Sequence, residues 1–268
     1  GSHDGTIRLW NPTTGNPISK PLTGHTRPVT SIALGTHPDG TPLLATGSWE
    51  YTVQLWDLTT GNPVGDPLTD HTDQVASIAF GTLPDGTLLL ATGSYDGTVR
   101  LWNPTTGNPI SKLVRQLGKR WLRTRLRKPA TGILIGHTDR VTSIAFGTLP
   151  DGTLLLAAGS RDHTVRLWDL TTGNPIGDLL TGHTDQVTSI ALGTLPDGTP
   201  LLATGSRDHT VRLWDPTTPA PLARLALGSS VPNDVCIAED HLYIACDDGM
   251  ICLSLAEVLA THRRPRLP

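Results

Sequence analysis

Residues 161 to 169 read RDHTVRLWD, and the same nine letters return at 207 to 215. Looser copies stand at 1 to 11 (GSHDGTIRLWN), 49 to 57 (WEYTVQLWD) and 95 to 103 (YDGTVRLWN). Each copy joins an acidic tight turn to a short alternating run that ends in Trp. The stretch collects Asp, His, Thr, Arg and Trp, so it reads either as a reused catalytic cassette or as a structural module.

Spacing separates these readings. Trp10, Trp56, Trp102, Trp168 and Trp214 lie 46, 46, 66 and 46 residues apart, and the long interval is the period of 46 plus an insertion of 20. Residues 137–168 match 183–214 at 28 of 32 positions, as a recent tandem duplication produces. Each unit carries short β-type runs, such as VTSIAF (141–146), LLLAAGS (154–160), TVRLW (164–168) and NPIGDLL (174–180). Pro-Asp-Gly, Asp-His and Thr-Gly-Asn-Pro turns separate them. The first three runs are apolar on both alternating faces, so each strand needs cover on two sides. Stacked four-stranded sheets at this period predict a radial propeller.

The stretch GHTDQVTSIA…LLATGSRDHTVRLWD resembles the WD-repeat β-propeller family, and the resemblance covers nearly the whole chain. Four of the Trp residues are preceded by a His at the same offset of 31. The resemblance implies an all-β propeller of four-stranded antiparallel blades, fastened by a buried network of His, Ser or Thr, Asp and Trp. By position the sets are His25, Thr46, Glu50 and Trp56; His71, Thr92, Asp96 and Trp102; His137, Ala158, Asp162 and Trp168; and His183, Thr204, Asp208 and Trp214. A carboxylate fixes the imidazole tautomer, the ring accepts a hydroxyl proton, and the hydroxyl accepts from the indole N–H. A hydrolase triad uses similar groups but occurs once, in a cleft. Repetition therefore favours a fastener. Glu50 is longer than Asp, and Ala158 removes a hydroxyl bridge.

Composition agrees. The chain has 28 Gly and 22 Pro, with few helix-forming polar residues. A formal charge of -3 conceals an uneven distribution: Arg115, Lys119, Arg120, Arg123, Arg125, Arg127 and Lys128, with Trp121, fall in an insertion at 113–132 that contains no acid. The remaining body is acidic, which argues against general nucleic-acid binding. Cys236, Cys246 and Cys252 lack CxxC spacing and read as reduced structural residues in apolar surroundings. No apolar run has transmembrane length and no signal peptide opens the chain, so a cytoplasmic location is expected. No metal site and no cofactor is expected, since no His pair has local ligand spacing and no glycine loop leads a strand into a helix.

The expected organisation is a propeller over 1–255, with a partial blade at 1–22, complete blades at about 23–68, 69–134, 135–180 and 181–227, a degenerate partial blade at 228–255, and a tail at 256–268. The strand tally and the single Met, Met250, point to a fragment of a seven-bladed parent; the alternatives are six blades, or a five-blade ring in which the N-terminal pair joins the first two C-terminal strands and one strand is spare. Function is sought where near-identical repeats differ. The residue before each tight-turn acid is His3, Trp49, Tyr95, Arg161, Arg207 and Asp247 in turn. In WD-repeat propellers this turn shares a rim with the loop before the first strand, which here carries Arg27 and Arg140. Trp49, Tyr51 and Tyr95 add aromatic residues to it, and Trp, Tyr and Arg are the types that carry interface energy.

These observations predict a non-catalytic scaffold that presents this rim to a protein or peptide. The alternatives are a ligand-sensing domain of a larger signalling ATPase or protease-like effector and, remotely, an enzyme. The basic insertion reads as a solvated loop, as a segment docked on the acidic body, as an out-of-frame or duplicated stretch, or as an amphipathic helix for a membrane or acidic partner.

Overall fold

The computed structural model describes residues 1–83, 85–110, 133–195 and 197–262. The basic insertion, 113–132, lies outside the described residues. The chain divides into two compact units, 1–135 and 136–268.

The described residues of the first unit form three antiparallel sheets. A two-stranded sheet pairs β1 (Thr6–Ile7) with β2 (Leu22–Thr23). Next come β3 (Val29–Thr36), β4 (Pro42–Ser48) and β5 (Val53–Asp57) in that order. The third sheet is β6 (Val75–Thr82), β7 (Leu88–Ser94), β8 (Thr98–Trp102) and β9 (Ile133–Ile135). In the second unit, β10 (Val141–Thr148), β11 (Leu154–Ser160), β12 (Val165–Asp169) and β13 (Asn174–Pro175) form one four-stranded sheet. Another consists of β14 (Val187–Thr194), β15 (Pro200–Ser206), β16 (Thr210–Asp215) and β17 (Ala220–Ala226). A three-stranded sheet follows, with β18 (Pro232–Ala238), β19 (His241–Cys246) and β20 (Gly249–Ser254). These are the blades that the repeat requires.

Apolar residues on both strand faces explain how sheets meet within a unit. β4 and β7 are buried almost from end to end. On one side Ala45, Val53 and Leu55 pack against Val75 and Ile78 of the next sheet, and Leu155, Ala157 and Val165 pack likewise against Val187 and Ile190. Gly47 and Gly159 set the approach, because a Cβ at either would fall within 3 Å of the facing Val and Ile side chains.

Each first strand also carries a bulge after its Val, between Val29 and Ser31, Val141 and Ser143, and Val187 and Ser189. The bulge aims two hydroxyls at the neighbouring sheet. Thr142 donates to the Val187 carbonyl at 2.6 Å, and Thr30 donates to the Val75 carbonyl. Ser31 accepts from the Ile78 N–H at 3.0 Å, Ser143 from Ile190 at 3.1 Å and Ser189 from Val235 at 3.0 Å. Sheets are thus clipped through side chains where strand pairing is interrupted.

The outer strands depart from the sequence reading. NPIGDLL was expected as one strand, but only Asn174 and Pro175 pair continuously, and Val165 meets Leu180 through an isolated bridge. The corresponding edge of the preceding unit's β3–β5 sheet consists of two bridges, Trp56 to Pro63 and Val53 to Leu68. Proline lacks the N–H for a ladder, and Gly65 and Gly177, at φ 66° and 62°, turn the backbone aside. The insertion enters at this same break. Its flanks are Ile110, whose N–H donates to Leu101, and Ile133, which pairs with Arg100. The two flanks of 111–132 are thus both set along the outer strand of this sheet.

Residues 255–262, read from sequence within the end of the last blade and the tail, form α1 (Leu255–His262). Leu255, Val258 and Leu259 follow helical spacing and join the core cluster of Leu201, Leu213, Val235 and Ile244. The cysteines are free, but Cys236 and Cys252 are exposed rather than set in apolar surroundings. Strand alternation turns them away from Val235 and Leu253, which face that cluster.

The tight turns share one backbone geometry. The residue after the acid is left-handed in all five repeats: Gly5 and Gly97 at φ 78° and 79°, Tyr51 at 72°, His163 at 69° and His209 at 61°. A side chain there costs roughly 1–2 kcal/mol. His163→Gly is therefore expected to raise stability by about 1 kcal/mol in denaturant unfolding, while Gly97→His lowers it by a similar amount. Unchanged midpoints in both variants would show that the turn relaxes at no cost.

Candidate functional site

The recurring polar set forms as the residue types require. His71 Nδ1 lies 2.8 Å from Asp96 Oδ2, and its Nε2 lies 2.7 Å from the Thr92 hydroxyl, which accepts from the Trp102 indole at 2.9 Å. His183, Asp208, Thr204 and Trp214 repeat this at 2.9, 2.8 and 3.0 Å. Since the carboxylate only accepts, the ring proton belongs on Nδ1 and the Thr hydroxyl donates to Nε2. In the His25 set Glu50 replaces Asp, and the longer side chain still reaches: His25 Nδ1 is 2.6 Å from Oε1, with Thr46 and Trp56 completing the chain at 2.8 and 2.9 Å.

Each acid is further pinned by its turn. Asp208 accepts from the Thr184 and Thr210 amides and from the Thr210 hydroxyl, and Asp96 accepts from the corresponding groups of Thr72 and Thr98. Burial pushes the Asp208 carboxyl upward, but these donors outweigh it and hold the group at about 2. Glu50 is held at about 2 in the same way, by Thr26, His25 and Thr52 against burial. Asp96 and Asp162 lie below the usual carboxylate range for the same reasons. Burial lowers His183 below the ordinary imidazole value despite the adjacent Asp208.

The Ala158 set differs. His137 keeps Asp162 at 3.0 Å, but its Nε2 lies 3.2 Å from the Ala158 carbonyl, and Trp168 stands edge-on at 6.3 Å. Both ring nitrogens then face acceptors, and a singly protonated ring satisfies one of them.

A further residue escaped the sequence reading. Arg100, Arg166 and Arg212 occupy one position on the third strand, with a buried Nε that has no hydrogen-bond partner. Their guanidinium groups lie over the residue before the His. Arg212 donates to the Gly182 carbonyl at 2.7 Å, and a Cβ on Gly136 would collide with Arg166. Where that residue is Asp70, it faces Arg100 at 3.6 Å. The signal was the Gly-His dipeptide itself: glycine leaves room for the cation, or an acid neutralises it.

The rim residues separate into groups by unit. Hydrogen bonds from Trp49 to Pro28, Tyr95 to Gln74, Arg161 to Arg140 and Arg207 to Gln186 tie each tight turn to the loop before the first strand. In the first unit His3, Arg27, Trp49 and Tyr51 are exposed, with Trp49 42% and Tyr51 43% accessible, whereas Tyr95 is half-buried. The His3 and Trp49 rings meet edge-to-face at 6.1 Å. In the second unit Arg207 is exposed, Arg140 is half-buried, and Arg161 is committed to Gln186 through a 2.7 Å hydrogen bond. The basic-insertion residues lie outside the described residues. A separate groove of about 340 Å³ runs between residues 64–70 and 104–109 and holds none of the network histidines. Among the described residues no helix is long and apolar enough to cross a membrane, and no group of three His, Cys, Asp or Glu is gathered for a metal.

Restoring the missing hydroxyl tests the network. Ala158→Thr is expected to add about 1 kcal/mol, the net scale of one buried hydrogen bond; a lower melting temperature would contradict the assignment of this position. Acid provides a second test. The unfolded chain binds protons that His183 and the turn acids refuse in the fold, so stability falls as pH drops. The decline should begin near 6.5 for His183 and steepen below about 4, as Glu50 and Asp208 approach 2. A melting temperature that stays flat or rises between pH 5 and 3 would refute this account.

The structural repeat coincides with a known one. The family described as WD domain, G-beta repeat matches residues 15–57, 61–103, 129–169 and 173–215. An uncharacterized WD repeat-containing protein of Synechocystis is 42% identical over 43 residues, which are 16% of this chain. Those residues span 12% of that relative's length. Since the matched repeats cover more than half of the sequence and coincide with the sheets and networks above, the chain belongs to the WD-repeat family.

Proposed function

We propose that the protein is a non-catalytic interaction scaffold and that it recognises a protein or peptide through the tight-turn rim. WD repeats generally mediate protein–protein interaction, and the rim reading refines that for this chain. The observation that carries it is the turn between β4 and β5. Trp49 and Tyr51 flank Glu50 there, both well exposed, with His3 against the Trp49 ring.

Glu50 is occupied by His25, so its neighbours are the variable part of the turn. Tyr51 holds a left-handed backbone where two other repeats place Gly and two place His, and strain of this kind is retained most often at functional sites. Exposed Trp and Tyr beside Arg27 give a partner rigid aromatic surface with a cation at its edge. In the second unit Arg207 is the exposed cation, while Arg161 braces the neighbouring loop. Free cysteines fit a reducing, cytoplasmic setting.

The test is affinity capture with Trp49→Ala combined with Tyr51→Ala, against Asp66→Ala as a control away from the rim. The aromatic pair is expected to lose partner recovery at least about tenfold, since truncating a buried interface aromatic costs 2 kcal/mol or more, while the melting temperature changes little. Equal recovery from all three proteins would remove the rim as the recognition surface.

A further inference from the structure

One exposed polar set in the first unit stands apart from the fastening networks. His37 opens the His-Pro-Asp-Gly turn between β3 and β4, where the other repeats carry Leu83, Leu149 and Leu195. Its Nδ1 lies 2.9 Å from Asp39 Oδ1, and its Nε2 lies 3.0 Å from the Thr105 hydroxyl on the turn that follows β8. Carboxylate, imidazole and hydroxyl are linked in the same order as in the buried sets, but Asp39 and Thr105 are exposed and His37 is half-buried. The sequence supplies this imidazole in one repeat only.

The ring proton belongs on Nδ1. The Asp39 amide also approaches that nitrogen, at 3.4 Å, but the carboxylate is nearer, and its charge attracts an N–H more strongly than an amide attracts a lone pair. Asp39 is ionised at neutral pH, since the amide and hydroxyl of Thr41, together with His37, hold its carboxyl at about 2. Nε2 then keeps a lone pair that accepts the Thr105 proton. At the equivalent turn of the second unit Leu149 stands at the His37 position, and the Thr217 hydroxyl donates to Asp215 at 2.6 Å instead.

Thr105 also lines the groove of about 340 Å³, whose apolar walls include Leu55, Leu68, Trp102, Pro104 and Pro109. The groove gives a short acyl chain a place to lie and its carbonyl carbon a path to the oxygen, the approach that the buried Thr hydroxyls lack. We propose that Thr105 is an acylation site, a hydroxyl activated by His37 with Asp39 as the positioning residue, which takes one acyl group from an activated ester or thioester. Thr105 Oγ bonds to the acyl carbon as its proton passes to His37 Nε2. The bond from that carbon to the leaving oxygen or sulfur breaks, and the leaving group departs with the proton as an alcohol or thiol. One ester forms, nothing is oxidised or reduced, and no turnover is required. The site lies at the end of the sheets away from the tight turns, so its test is independent of the rim.

The test exposes the full 268-residue chain to p-nitrophenyl acetate and locates the acetyl groups by peptide mass mapping. Acetylation of Thr105 is expected at least about tenfold faster than that of Thr59, Thr171 or Thr217, which hold the same place in their turns, because a positioned general base contributes about 10²–10⁴-fold. Alkaline hydroxylamine should remove this acetyl, as it cleaves esters and leaves lysine amides. His37→Leu, which installs the residue of the other repeats, should bring Thr105 down to the rate of Thr59. Asp39→Asn keeps an oxygen for the Thr41 amide, and hence the turn, but loses the charge. It should slow the labelling of Thr105, and Asp39→Glu should restore it in part.

Two outcomes would overturn the proposal. Equal labelling of Thr105 and Thr59 in the unaltered chain would show that the imidazole does not activate the hydroxyl. Undiminished labelling of Thr105 in both His37→Leu and Asp39→Asn would assign its reactivity to the turn alone and leave His37 as a tie between two turns.

Discussion

Everything in this fold follows from strands that are apolar on both faces. A sheet with one wet face could stand alone, but β7 or β15 cannot, because residues on both sides are buried. Glycine at the approach point and bulge hydroxyls that reach across are the means by which one sheet accepts the next. Magnitude ranks these contributions. A buried Trp removes on the order of 200 Å² from water, a gross gain of about 5 kcal/mol at most. A buried hydrogen bond adds about 1 kcal/mol net. Apolar burial drives the assembly, and the His–Thr–Trp chain fixes where each indole lies and prevents its N–H from being buried unpaired.

The same ranking explains why a carboxylate, an imidazole and a hydroxyl in sequence do not make a nucleophile here. In each complete set the Thr hydroxyl is fully buried and already accepts from an indole. No substrate carbon can approach an oxygen held between a Trp and a His inside a sheet stack, and a nucleophile needs that approach. Replacing Thr by Ala at 158 then disturbs packing and proton placement but removes no chemistry.

Period, strand order and the network were legible because a repeat multiplies each weak signal: one Trp is an anecdote, whereas four pairs of His and Trp at a constant offset form a pattern. Features outside the period were harder to see. α1 lies beyond the last repeat, and its Leu255, Val258 and Leu259 occupy a single short turn pattern with nothing to average over. NPIGDLL has strand composition, but a single left-handed glycine decides its pairing, and that is a backbone fact. The clipping hydroxyls of Thr30, Thr142 and Thr188 were visible as Val-Thr-Ser at fixed phase, yet a polar residue in an apolar run suggests a solvent face until a bulge is known to turn it inward. The third-strand Arg residues escaped notice for the same reason, since an Arg alternating with apolar residues suggests a solvent face.

Near-identity between repeats has a physical consequence beyond shared ancestry. Residues 137–168 and 183–214 differ at four positions, and two of these, Phe146/Leu192 and Leu154/Pro200, are apolar exchanges that keep strand pairing and packing. Hairpins so similar keep the same register and bulge, and the two copies part in the network only at Ala158 and Thr204. Apart from Glu50 and Ala158 in the network, much of what distinguishes one blade from another lies in groups the framework does not use, such as Trp49, Tyr51 and Arg207 at the turns. These turn side chains can vary without touching the fold, because none of them takes part in the network or the sheet packing.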